Sequence, residues 1–105
     1  MNLTKKMKRN KIYLTPEARN DLKEARAWYR KKNPSLPKRF MEQVKITLDN
    51  LSSLPATHAI RYKEVRFAQV AVFPYAIHYL IEDGNINVIA VRHTAINPEK
   101  WKDRL

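Results

Sequence analysis

The chain has 105 residues, with 21 Lys and Arg against 10 Asp and Glu, a formal charge of +11 and no cysteine. A chain of this length forms one domain that buries roughly 65% of its unfolded surface, and without cysteine it has neither a disulfide framework nor a thiolate metal site. No segment approaches the ~18 consecutive apolar residues of a membrane span, and the positive start has no apolar run behind it, so the expectation is a cytoplasmic protein without a secretory signal. The charge excess extends along the whole sequence and points to a polyanionic partner: a nucleic acid, a ribosome or an acidic protein.

Residues 1–10 carry Lys5, Lys6, Lys8 and Arg9 with no acid and no periodicity, and read as a flexible basic arm ahead of a single domain over 11–105. Lys11-Ile12-Tyr13-Leu14 alternates briefly and predicts a short strand. Thr15-Pro16-Glu17 then starts a helix: Thr15 caps, Pro16 sits at the first helical position and Glu17 favours the positive end of the dipole. The helix is predicted from Pro16 to Lys32, with Ala18, Leu22, Ala25, Trp28 and Tyr29 on its apolar stripe, and Asn33-Pro34 stops it. Ser35-Leu36-Pro37 opens a second helix, whose Phe40, Met41, Val44, Leu48 and Leu51 recur at helical spacing until Leu54-Pro55 ends it. The connection is so short that the helices must lie antiparallel and bury their stripes on a sheet.

That sheet is written mainly between Val65 and His93, after a polar connection over 56–64. Tyr75, Ile77, Tyr79 and Ile81 share one face at period two, with His78 on the other, and Val88-Ile89-Ala90-Val91 is an apolar run suited to a strand covered on both sides. Gly84 is the only glycine, and Asp83-Gly84 supplies the positive φ of a tight hairpin. A two-residue loop sets Ile81 opposite Ile86, Tyr79 opposite Val88, Ile77 opposite Ala90 and Tyr75 opposite Arg92; a three-residue loop through Asn85 shifts this by one. Asn97-Pro98-Glu99 reads as a cap for a terminal helical turn, with Trp101 folding back onto the body. The fold class is α+β in the order β-α-α-β-β-β: a small antiparallel-rich sheet, a helical hairpin on one face, a short C-terminal helical turn, and an open or concave second face.

The candidate site residues are basic. Arg92 and His93 close the last strand, where a guanidinium can grip a phosphate or carboxylate bidentately and an imidazole can pass a proton; equally, Arg92 can cap carbonyls or pair with a nearby Glu while His93 bonds the terminal loop. Arg61, Lys63 and Arg66 form a basic patch if a bulge brings Arg66 into phase, or else protect a sheet edge. Together with Arg92 and His93 they make up the candidate contacts to a nucleic acid or other target. Arg92, His93 and Arg66 are the candidates for any catalysis. His78 reads as a satisfied structural group, Tyr75 and Tyr79 as core, and Tyr62 as the exposed aromatic. The histidines lack ligand spacing, so neither a metal nor a small-molecule cofactor is expected, and a single glycine rules out a phosphate-binding loop.

Tyr13-Leu14-Thr15-Pro16-Glu17-Ala18, Phe73-Pro74-Tyr75-Ala76-Ile77-His78-Tyr79-Leu80-Ile81, Val88-Ile89-Ala90-Val91-Arg92-His93 and Asn97-Pro98-Glu99-Lys100-Trp101, in that order and spacing, resemble the RelE/ParE superfamily of type II toxins over residues 11 to 104. The last-strand His followed by Pro-x-x-Trp is more similar to the ParE-like, plasmid-stabilisation branch. The resemblance implies a small basic toxin neutralised by a cognate antitoxin that folds as it wraps the toxin. On the ParE-like side it implies DNA gyrase as target; on the RelE-like side, a ribosome-dependent mRNA endoribonuclease. Relatives commonly carry arginine where this chain has Ala76, and their arginine-rich tail loop is here the uncharged Thr94-Ala95-Ile96-Asn97. The nuclease set is thus incomplete, and the reading leans away from an enzyme. A non-toxic basic nucleic-acid-binding module is the remaining alternative.

Overall fold

A computed structural model of the chain describes residues 10–98 and 101–104. Their elements are β1 (Ile12–Leu14), α1 (Pro16–Lys32), α2 (Leu36–Ser53), β2 (Ile60–Tyr62), β3 (Val65–Gln69), β4 (Tyr75–Glu82) and β5 (Asn85–His93), with single 3-10 turns at Pro55–Thr57 and Lys102–Arg104. The sheet order is β1-β5-β4-β3-β2, antiparallel except for the parallel β1–β5 pair. The expected basic arm lies outside the described residues but for Asn10. Its N–H donates to Ser52 O at 2.9 Å and its carbonyl accepts from Ser52 Oγ at 2.8 Å, joining the entry of β1 to the end of α2.

Both helices form where the sequence predicts them. Thr15 Oγ1 accepts from Ala18 N–H at 3.0 Å, and Asn33 N–H closes the last turn of α1 on Tyr29 O at 3.0 Å. Ala18, Leu22, Ala25 and Tyr29 of α1 and Phe40, Val44 and Leu51 of α2 bury against Ala68, Ile77, Tyr79, Ile86, Val88 and Val91 of the sheet. Tyr29, Phe40 and Phe73 meet with ring centroids 5.1 to 5.4 Å apart, within the range of favourable aromatic packing. Trp28 departs from the predicted stripe: it is 53% exposed. Asp21 takes a buried place on that face instead.

The sheet has five strands where four were expected. The 56–64 connection contains β2, because Lys63 and Glu64 turn the chain back onto β3 with φ of 40° and 69°. Such a turn calls for Gly, Asn or Asp, and neither residue announces it. The register shift between Ile60 and Tyr62 supplies the bulge on which the expected basic patch depended, but its members are engaged separately: Arg61 over Phe67, Lys63 in the turn and Arg66 on the His58 carbonyl.

The β4–β5 hairpin closes on the Glu82–Asn85 pair, with Asp83 and Gly84 at φ of 52° and 78°. Ile81 faces Ile86 and Tyr79 faces Val88, as the two-residue loop requires. Beyond that the register slips: His78 pairs with Ala90, Ile77 with Val91 and Tyr75 with His93, in place of the expected Ile77–Ala90 and Tyr75–Arg92 pairs. The cause is a bulge at Ile89–Ala90, where two residues stand against one position of β4. Ile86, Val88 and Val91 therefore face the helices, while Ile89 and Ala90 join Val65 and Trp101 in a second core on the opposite face. Tyr62, Phe67, Leu80 and Ile96 pack around it, so this face is partly roofed rather than open, and Tyr62 is part of the roofed cluster rather than the exposed aromatic.

Candidate functional site

The free edge of β5 dictates the first feature. β1 ends at Leu14, opposite Val88, and Thr15 N–H still reaches Val88 O at 3.0 Å. Beyond that point side chains take over the ladder. Asp21, 2% exposed, accepts Val91 N–H at 3.0 Å, and Arg104 Nη1 donates to Ile89 O at 3.0 Å. A buried carboxylate needs charge as well as hydrogen bonds, and Asp21 also accepts Arg104 Nη1 at 2.7 Å and Arg92 Nη1 at 3.1 Å. Arg92 lies 3.7 Å from Glu24 and stacks over Trp101, 5.6 Å from its ring centroid. The arginine chosen from the sequence is thus anchored inside the molecule by Asp21, which the sequence reading overlooked. An acid three residues after Ala18, on the apolar stripe of α1, was the available signal.

Arg66 is also engaged. Its Nη1 donates to His58 O at 2.6 Å, and Tyr79 OH donates to Pro55 O at 2.6 Å, so both hold the Pro55–His58 connector on the sheet. Lys63 borders a depression with Glu64, Glu82 and Arg104, apart from the other candidates. Arg61 is exposed, with its guanidinium over Phe67 at 5.6 Å, and no ion pair holds it among the described residues.

His78 is 2% exposed and accepts the Trp101 indole N–H on Nδ1 at 3.0 Å; its ring lies 3.8 Å from that of Phe67. Burial, opposed by nearby Asp21 and aided by Arg104 and Arg92, moves its pKa from 6.5 down to about 4. The ring is therefore neutral, with its hydrogen on Nε2. His93 is fixed similarly: Nδ1 accepts Ala95 N–H at 3.1 Å, and the ring meets Tyr75 edge-on at 5.5 Å. Burial raises the pKa of Tyr75 and Tyr79, and with their places on the helix-side core this makes them packing groups.

Two cavities meet at His93. One, of about 360 Å³, lies between α1 and the end of β5 and is lined by Glu24, Ala25, Trp28, Tyr75 and Arg92. The other, of about 400 Å³, lies on the opposite sheet face and is lined by His58, Arg61, Phe67, Gln69, His78 and Thr94. The structure thus brings Arg61 and His93 to one cavity, and leaves Lys63, Arg66 and Arg92 outside it. His58 and Gln69, which the sequence reading had not placed in a site, join them. Among the described residues no group of three or more His, Cys, Asp or Glu side chains could hold a metal, and no helix is long and apolar enough to cross a membrane.

Comparison with known proteins places this geometry. The family model for the ParE toxin of the parDE type II toxin-antitoxin system matches residues 12–98. A solved structure described as the chromosomal ParDE TA system from P. aeruginosa superposes with a TM-score of 0.71 at 15% identity, covering 80% of this chain and 95% of that one; at that identity it attests the fold. No curated protein gave a match. With the family model spanning every strand and both helices, the chain belongs to the ParE toxin family, the toxin side of parDE type II toxin-antitoxin systems.

Proposed function

We propose that this protein is a cytoplasmic toxin silenced by a cognate antitoxin, and that its target is DNA gyrase rather than mRNA in the ribosomal A site. The supporting observation is that the cations a nuclease would need at the end of the sheet are already used: Arg92 by Asp21 and Glu24, Arg66 by the His58 carbonyl. Ala76 lies opposite Arg92 and adds no charge. Cleavage of RNA requires a base, an acid and fixed positive charge around one phosphorus. Each proton-transfer group is worth about 100- to 10,000-fold, so a site lacking one of them is severely weakened.

For the antitoxin, the helix-side cavity with exposed Trp28 suits apolar side chains of a segment that folds on binding, and the +11 charge suits its acids. Of the five basic candidates, Arg61 and His93 are available to a target, Arg66 and Arg92 shape the surface from within, and Lys63 extends its basic margin. The endoribonuclease alternative is favoured by one feature only, the presence of His58, Arg61 and His93 around a single cavity. A gyrase cleavage-complex assay, run beside 5′-end mapping of mRNA on programmed ribosomes, tests the proposal. Gyrase-dependent DNA breaks without codon-positioned cuts are expected; efficient cuts lost in Arg61→Ala would overturn it.

A further inference from the structure

The cavity on the face opposite the helices is bordered by hydrogen-bond donors held in place from outside it. Arg61 projects from β2 with its guanidinium over Phe67 and no carboxylate to neutralise it among the described residues. His93 spends Nδ1 on Ala95 N–H at 3.1 Å, so its neutral form carries the hydrogen on Nε2. Gln69 directs its NH₂ to the carbonyls of Val70, Phe73 and Tyr75, each at 3.2 Å, which fixes the β3–β4 loop on one side. On another side Arg66 and Tyr79 clamp the connector that carries His58. Thr94, whose N–H donates to Pro74 O at 2.9 Å, completes a rim that, among the described residues, holds no acidic side chain. The helix-side cavity differs in this respect, being lined by Asp21 and Glu24.

We propose that this cavity is a binding site for the phosphodiester backbone of a nucleic acid, with Arg61 as its charged anchor and His93 as a second donor. An anion requires donors, an absence of carboxylates, and a cation that is not already paired; of the cavities described, this one joins all three. A guanidinium presents two parallel N–H groups to a phosphate, and the surrounding charge of +11 draws a polyanion toward it. Phe67 contributes support rather than a base platform, because His78 lies against its ring at 3.8 Å and Arg61 over it at 5.6 Å. Recognition is therefore of backbone, not sequence. The inference rests on the toxin reading only in giving its target surface a chemistry, since gyrase acts on DNA.

The test is fluorescence anisotropy of the purified full chain with labelled 12-nucleotide single-stranded DNA, the same sequence as duplex, and an RNA version, over a salt series. Arg61→Ala should weaken binding about tenfold and lower the log–log salt slope by roughly one, and His93→Gln should weaken it about threefold. Lys23→Ala removes the same charge from the exposed face of α1 and should change binding less than twofold. Equal losses in Arg61→Ala and Lys23→Ala would overturn the site in favour of diffuse charge. Competition by poly-glutamate as strong as by unlabelled DNA at equal charge would overturn it in favour of an acidic protein. Inorganic phosphate should compete only at millimolar concentration; stronger competition would make this a free-phosphate site and overturn the backbone assignment. None of these arms contains gyrase. Oligonucleotide binding in a protein that does not touch gyrase would therefore sink the gyrase reading alone, and gyrase poisoning that survives loss of the Arg61 effect would sink the site alone.

Discussion

The Trp101 indole donates to His78 Nδ1 at 3.0 Å, so the second core is closed by a bond that only an unprotonated imidazole nitrogen can accept. Burial holds His78 at a pKa of about 4 against 6.5 for the free side chain. Between those values the unfolded chain takes up a proton that the folded protein refuses. The resulting stabilisation is whole above pH 6.5 and is lost as pH falls toward 4. Its upper size is roughly 3 kcal/mol. His78→Asn keeps an oxygen for the indole but does not titrate, so its urea-unfolding free energy should change less steeply over this window. Parallel pH profiles for the two proteins would refute the assignment.

Asp21 carries more of the architecture than any other acid. Asp21→Ala leaves Val91 N–H and two guanidinium groups without their shared acceptor, and should cost about 3 kcal/mol in chemical denaturation. Asp21→Asn retains an oxygen for Val91 N–H and should lose about half of that. A loss within 0.5 kcal/mol for Asp21→Ala would show the hub to be dispensable.

Val72 holds φ at 74° while its side chain is 80% exposed. A β-branched residue in the left-handed region is strained by roughly 1 to 3 kcal/mol, and here no packing offsets the strain. Val72→Asn should raise the melting temperature and add about 1 kcal/mol of stability, and an unchanged melt would argue against strain at this loop.

Binding of the cognate antitoxin should show directly in the thermal melt. At a concentration 100 times its dissociation constant, a partner specific for the folded toxin adds about 2.7 kcal/mol. Trp28→Ala should reduce that shift without lowering the melting temperature of the free toxin much, because Trp28 is half exposed. If the complex formed by Trp28→Ala melts like that of the parent, the helix-side cavity is not the seat of the antitoxin.

Much of the fold was legible because local chemistry and global role agree. Thr15-Pro16-Glu17 encodes a helix start under any tertiary arrangement, and Asp83-Gly84 encodes its hairpin. β2 was hidden because Lys63 and Glu64 adopt left-handed geometry without the residues that normally signal it. The register beyond Tyr79 was hidden because Val88-Ile89-Ala90-Val91 is apolar in either phase. The site suffered for the same reasons: without β2 and its turn, Arg61, Lys63 and Arg66 look like one patch. Arg92 looked available because its partner Asp21 lies 71 positions earlier in the chain. Trp101, by contrast, was legible from size alone and is 3% exposed.

The bulge at Ile89–Ala90 makes the length of β5 matter more than its spelling. Replacing Ile89 by Val or Leu trims or reshapes the second core and leaves the strand in phase. Adding one apolar residue between Val88 and Val91, in register beside the existing bulge, would alter neither the net charge nor the apolar character of the strand, yet it would turn every side chain from Val91 onward to the other face. Val91 would leave the helix-side core, and its amide would leave Asp21. Lineages of this toxin should therefore drift freely in the identity of these apolar residues while tolerating no insertion among them, a pattern that sequencing of natural variants can reveal without any assay.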